Sequence, residues 1–398
     1  ILSLFKQLGV NKADRTIVQV DKSPETIVLY LACLRAGVIY IPLNTAYTVD
    51  EVAYFIEDAE PSLIVCDPET EESISSLASR FGVSHVLTLD ARGKGSFMES
   101  IRDIAVEQAI EQCAPDDLAS ILYTSGTTGR AKGAMLSHGN LASNALALNK
   151  SWQWQDDDVL LHALPVFHVH GLFISLHCAL LKGTRVIYLN KFDLELIKQN
   201  LPRVTVMMGV PTYYVRLLAN PEFDRDLCKN IRLFSSGSAP LLPETFDLFE
   251  RRTGLRIIER YGMTETVVIS SNPFDGERIA GTVGFALPGI DIRIGDEQGA
   301  ELPGGETGML QLTGPNVFQG YWRMPEKTAE EFTDDGYFIT GDLACMDEDG
   351  RVSIVGRVKD LVISGGYNVY PKEVELVIDE IEGVNESAII GLAHEDFG

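Results

Sequence analysis

Within its first seventy residues the chain switches twice between helical and strand periodicity, and that rhythm restricts it to few folds. Residues 26–37, TIVLYLACLRAG, read as a helix closed by Gly37, and residues 38–44, VIYIPLN, read as a strand. Residues 49–59, VDEVAYFIEDA, are helical again, and 62–67, SLIVCD, form a further strand. Such β-α-β-α order argues a mostly parallel sheet flanked by helices. Comparable units recur between 160 and 270, including a strand at 159–163, a buried helix at 173–181 and a helix begun by Pro211, so a second sheet packed on the first is expected. From Asp291 the texture becomes short strands with Gly/Pro turns, which predicts a β-rich subdomain at about 282–358. Near the end a short helix started by Pro371 and a strand at 387–391 are expected.

Residues 123–133, YTSGTTGRAKG, carry the densest chemistry. They follow an apolar strand pattern at 118–123 and precede a helical pattern from about Asn140, which predicts a strand-to-helix loop. Gly126, Gly129 and Gly133 let backbone N–H groups approach an anion, Thr124, Ser125, Thr127 and Thr128 add hydroxyls, and Lys132 adds a cation. The spacing of a Walker-type P-loop is absent, so the reading is a polyphosphate-holding loop of another kind. A solvated Gly/Thr turn is the plain alternative.

Composition narrows the partners. With 398 residues, 45% hydrophobic and 23% charged, the chain is globular in composition and exceeds one ordinary domain. No apolar run approaches the ~18 residues of a membrane helix, and the first twenty residues lack signal-peptide features, so a cytoplasmic protein without membrane insertion is expected. Six scattered cysteines show no metal or redox spacing. The net charge of −24 argues against nucleic-acid binding and makes each cation beside an anionic ligand informative: Lys132, Arg260, Arg278, Arg357 and Lys359.

Further stretches fall in a telling order: HALPVFHVHGLF at 162–173, SSGSAPL at 235–241, ERYGMTET at 259–266, GYFITGD at 336–342 and GRVKDLVISGGYNVYPKEVE at 356–375. With the 123–133 loop they resemble the adenylate-forming superfamily of acyl-CoA synthetases, luciferases and adenylation domains. The resemblance spans about two-thirds of the chain and implies ATP, Mg²⁺ and coenzyme A as ligands, with a small-molecule carboxylate as substrate. It implies an α/β fold with a large N-terminal domain (1–358) of two stacked mixed sheets, flanking helices and a β-rich subdomain. The start of a small mobile C-terminal α+β lobe (359–398) follows. By the same resemblance the chain is expected to be truncated at both ends and to lack the family's C-terminal adenylation lysine.

Residue roles carry over position by position. The resemblance implies that Thr124, Ser125, Gly126, Thr127, Thr128, Gly129 and Lys132 close over the β- and γ-phosphates. Thr264 would bond the α-phosphate and Glu265 would hold Mg²⁺, whose preference for hard oxygen ligands suits a carboxylate. Tyr261 would stack on adenine, with Ser238, Ala239, Glu259, Arg260 and Gly262 around it. Asp342 would accept the ribose hydroxyls, which an ionised carboxylate does at both oxygens, and Arg357 would add a donor. Lys359 matches the hinge, and Gly365 and Gly366 the pantetheine tunnel. Lys132, Thr264, Glu265 and His168 are the catalytic candidates.

Substrate choice rests on His168, His170 and Arg278. Buried histidines are commonly satisfied core groups. Two imidazoles and a planar guanidinium nonetheless suit a short dicarboxylate better than a long acyl tail. ILYTSGTTGRAKGAMLSHGNLASN at 121–144, HALPVFHVHGLF, MGVPTYYVRLL, LFSSGSAPLL, SNPFDGER and GPNVFQGYWRMPEKT are similar to the malonyl-CoA synthetases of the superfamily. That narrower resemblance implies that Arg278 clamps a distal carboxylate, with Ser236, Gly237 and Met263 nearby. Residues 267–270 depart from the family's usual Asn-Met-Asn-Thr, which keeps methylmalonate open. A medium-chain or aryl CoA ligase, an amino-acid adenylation domain and a non-enzymatic adenylate sensor are the alternatives.

Overall fold

Alternate residues of the first strands face opposite ways: Val18, Tyr40 and Val65 pack into one buried cluster, whereas Ile17, Ile39, Ile41 and Ile64 pack into another. That period-two division is what a sheet covered on both faces requires. The structure, a computed structural model, describes residues 1–106, 110–124, 130–296, 299–364, 367–379, 381, 383–384 and 386–392.

The first sheet has the spatial order Val86–Thr88, Leu63–Cys66, Arg15–Gln19, Ile39–Pro42, Leu118–Thr124, Lys132–Ser137. Neighbours are parallel except the last pair, which is antiparallel. The second sheet runs Phe285–Ala286, Ser270–Ser271, Ile258–Tyr261, Leu233–Ser236, Val206–Gly209, Val159–His162, Arg185–Tyr188, with only its first two strands antiparallel. Leu160, Val206, Met208, Leu233 and Ile258 share the buried cluster of Val18 and Tyr40, so the two sheets enclose a common core. The opposite face of the second sheet, with Leu161, Met207 and Phe234, packs under the helices Pro211–Leu218 and Pro243–Thr253. Lys22 ties the sheets by donating to the carbonyls of His162 (3.0 Å) and Leu189 (2.6 Å).

Local punctuation explains the helix limits. Ser23 accepts from the Thr26 N–H ahead of helix Pro24–Ala36, and Gly37 closes it at φ 65°, a left-handed conformation that favours glycine. Helix Val49–Ala59 opens on a capping box between Thr48 and Glu51. A third, antiparallel sheet joins Asp291–Gly295, Thr307–Thr313, Phe338–Met346 and Val352–Arg357. Its register shifts between Leu343 and Ala344, beside the pair Asp342 and Arg357. A bulge of this kind re-aims neighbouring side chains. The short hairpin Val362–Ser364 with Tyr367–Val369 and the helix Pro371–Asp379 follow.

Three expectations need correction. The 123–133 stretch joins two antiparallel strands, not a strand and a helix, because residues 132–137 find a ladder partner in Leu118–Thr124; the helix starts only at His138, capped by Ser137. The buried helix expected at 173–181 is a π-helical turn, His170–Leu176, continued by the α-helix His177–Lys182. No strand forms at 387–391, where no neighbouring strand pairs with it among the described residues, and Ile390 is exposed. All six cysteines are free, and no described helix is long and apolar enough to cross a membrane.

Candidate active site

A cleft of about 700 Å³ opens where strands of the first two sheets end and the third sheet leans over them. Leu122 to Thr124, Ser238 and Gly262 reach it from the carboxyl ends of their strands, and Asp342 reaches it from the third sheet. Carboxyl ends of parallel strands are where open α/β sheets bind ligands. The cleft gathers Thr124, Lys132, His168, His170, Ser238, Arg260, Gly262, Met263, Thr264, Glu265, Asp342, Arg357 and Lys359. Ser236, Gly237, Ala239, Glu259, Tyr261 and Arg278 do not line it. Ser125, Gly126, Thr127, Thr128, Gly129, Gly365 and Gly366 lie outside the described residues.

On one wall Lys132 Nζ lies 3.3 Å from Glu331 Oε1 and 4.1 Å from the Tyr321 ring centroid. Tyr321 donates its hydroxyl to Glu265 Oε1 at 2.9 Å. Glu265 is buried, and burial raises its pKa against the opposing effect of its hydrogen bonds and of Lys132. Among the described residues no three carboxylate, imidazole or thiolate side chains converge on a point. A metal beside Glu265 would therefore take most of its oxygen ligands from a phosphate and water, as Mg²⁺ commonly does. The turn following strand Ile258–Tyr261 is tight: a Cβ on Gly262 would sit 2.0 Å from the Val267 carbonyl oxygen. Val267 itself adopts φ 59°, an unfavourable conformation for a β-branched residue.

Asp342 forms the second wall. Its Oδ2 accepts from the Tyr261 hydroxyl and its Oδ1 lies 3.0 Å from Arg357 Nε. Burial raises its pKa, while these two partners favour the charged form. Tyr261 thus holds a carboxylate here, and its ring is not a wall of the cleft. Glu259, expected beside the purine, is buried with its carboxylate accepting from the Gly281 N–H at 3.1 Å, and burial pushes its pKa up to about 8.

The cleft floor is cationic yet buried. Arg260 is 4% exposed, and its Nε and Nη2 have no hydrogen-bond partner among the described residues. Its guanidinium fills the space beside Gly237, where a Cβ would come within 2.5 Å of Cζ. Burial lowers its pKa to about 10. His168 and His170 beside it are held neutral by burial and then by the Arg260 charge. Nδ1 of His170 pairs with Ser238 Oγ at 3.2 Å, whereas its Nε2 and the Ser236 hydroxyl are buried without partners among the described residues. A buried guanidinium with unpaired donors on a cleft wall is what an anion would satisfy.

Arg278 differs from its expectation. Its Nε donates to the Pro273 carbonyl at 3.0 Å, Nη2 to Phe274 at 2.6 Å and Nη1 to the Arg256 carbonyl. Its fork is spent on backbone, outside the cleft. Lys359 sits in the short turn Val358–Asp360 at the cleft edge. Tyr321 and Glu331 were missed: Tyr321 lay in a stretch quoted only for its resemblance, and Glu331 in an acidic run that reads as solvated helix surface.

The family model of AMP-binding enzymes matches residues 3–322. The mitochondrial malonate-CoA ligase ACSF3 of Mus musculus is 36% identical over 409 residues, covering 94% of this chain and 69% of that protein. ATP-bound MatB from Rhodopseudomonas palustris is 53% identical with a TM-score of 0.98, over 100% of this chain and 79% of that one. A malonyl-CoA ligase in a ternary product complex with methylmalonyl-CoA and AMP is 38% identical with a TM-score of 0.76, over 100% and 83%.

Proposed function

We propose, from the premise that this chain belongs to the AMP-binding enzyme family, that it serves an AMP-forming CoA ligase for a short dicarboxylate, malonate first. The observation that carries the substrate is Arg260: a buried guanidinium with two donors unpartnered among the described residues, flanked by neutral His168 and His170, in one cleft with Lys132, Glu265 and Asp342. Malonate's distal carboxylate matches that planar fork and offsets the cost of burying it unpaired. This reading moves the clamp from Arg278 to Arg260.

Two displacements make up the reaction. A carboxylate oxygen attacks the α-phosphorus of ATP and pyrophosphate leaves; the CoA thiol then attacks the acyl carbonyl, loses its proton and expels AMP. Little covalent chemistry falls to the protein, so positioning and charge dominate. Lys132, Thr124 and the 125–129 loop would meet the β- and γ-phosphates, and Thr264 the α-phosphate. Glu265 would hold Mg²⁺, which when bound neutralises phosphate charge as it develops. Asp342, relieved of Tyr261 and Arg357, would accept the ribose hydroxyls. Ser238 and Gly262 would border the adenine, Met263 the acyl group, and Gly365 and Gly366 the pantetheine arm. We divide the chain at Lys359, with 1–358 as the large domain and 359–398 as the start of the lobe that turns between half-reactions. Val169, Ile174 and Val267 line the same cleft with apolar surface, which favours tolerance of a methyl branch, as in methylmalonate. A cytoplasmic location accords with six free cysteines, and imaging of the tagged full-length protein would separate it from the mitochondrial location in the mouse relative's name.

Two substitutions in the full-length protein test the assignment. Arg260→Ala should cut kcat/KM for malonate by ~10²-fold or more while ATP still binds. Arg278→Ala should change it by less than about threefold. The reverse pattern would return the clamp to Arg278.

A further inference from the structure

Glu331 Oε1 is shared by two cations. Lys132 Nζ approaches it at 3.3 Å from inside the cleft, and Lys327 Nζ at 3.1 Å from the helix Pro325–Glu330. The inner pair is well shielded, with side chains 12% and 20% exposed, whereas Lys327 is 35% exposed. Backbone bonds fix where the carboxylate starts: the Glu331 N–H donates to the Thr328 carbonyl, and the Glu331 carbonyl accepts from the Ile339 N–H at 2.8 Å. The Tyr321 ring beneath Lys132 is anchored in turn, its hydroxyl on Glu265 and its N–H on Thr328 Oγ1. Lys132 is thus held by a carboxylate on the cleft wall that no part of the proposed chemistry uses.

A triphosphate reaching Lys132 must compete with that carboxylate. At this distance the Glu331 charge both satisfies the ammonium and repels an incoming phosphate. Lys327 lowers the cost of the exchange, since Glu331 keeps one cation when Lys132 turns to phosphate. We infer that Glu331 is the resting counter-ion of Lys132, that it competes with the β- and γ-phosphates of ATP, and that it recovers Lys132 when pyrophosphate departs. Glu331 is a positioning residue in this scheme, and the scheme rests on the reading of Lys132 given above. Its signature is selective: AMP, which lacks the outer phosphates, should be indifferent to Glu331.

The test is calorimetric titration of the chain and three variants, Glu331→Gln, Lys327→Met and the double substitution, with Mg-ATP, pyrophosphate and AMP. Glu331→Gln should tighten ATP and pyrophosphate by about fivefold or more and leave AMP within about twofold. Lys327→Met should weaken ATP, and that weakening should vanish in the Glu331→Gln background. In the full-length protein the effect should fall on KM for ATP rather than on kcat. Weaker ATP binding by Glu331→Gln would identify the residue as a ligand-holding group and overturn the inference. Equal shifts for ATP and AMP would reduce it to a structural role, and a Lys327 effect that persists without Glu331 would mean direct phosphate contact. If the unaltered chain bound neither nucleotide, the underlying reading of the cleft would fail instead.

Discussion

Arg260 and Arg278 have the same side chain and opposite situations. An unpaired guanidinium in a buried floor is costly unless its partner arrives with the substrate, whereas one bonded to three carbonyls has nothing left to offer a ligand. Sequence alone cannot separate them, because backbone carbonyls claim donors without leaving any mark in composition. Glu259 gives a second test at this scale. Its folded pKa of about 8 exceeds the ordinary 4.5, so between those values the folded chain holds a proton that the unfolded chain has released. Stability from this group is therefore full below about pH 4.5 and lost as pH rises toward 8. Urea midpoints at about pH 5.5 and 8 should fall for the native chain and fall less for Glu259→Gln; parallel profiles would contradict this account.

The π-helical turn His170–Leu176 is the element on which the acyl floor depends. Gly171 lies against Pro165, where a Cβ would meet the carbonyl oxygen at 1.9 Å, a contact that backbone cannot relieve. Gly171→Ala should destabilise the fold by about 1–3 kcal/mol and displace His170, lowering malonate affinity. An unchanged urea midpoint would show that the turn has room. Elements with punctuation were legible: Pro211 opens a helix and Gly37 closes one, as their backbone preferences require. The strand Lys132–Ser137 was not, since six residues pair only when a neighbour's register is known. The 387–391 run, Ser-Ala-Ile-Ile-Gly, shows the converse, a short apolar run with no partner strand among the described residues.

Across the whole molecule, two sheets were readable because hydrophobic runs and helical stripes alternate along the chain. The cleft between them was readable only through the order of its motifs, since residues from 42 to 359 meet there. Charge makes the same point. The chain carries −24, yet the cleft wall presents four cationic side chains, Lys132, Arg260, Arg357 and Lys359, against three carboxylates, Glu265, Glu331 and Asp342. An anionic substrate is drawn to a local site that the total charge conceals. The most direct measurement is pyrophosphate release by the full-length protein with Mg-ATP, comparing malonate, methylmalonate, succinate, acetate and octanoate. Fastest release with malonate, or with malonate and methylmalonate together, is the predicted result. Faster release with acetate or octanoate would contradict a floor that reads a second carboxylate.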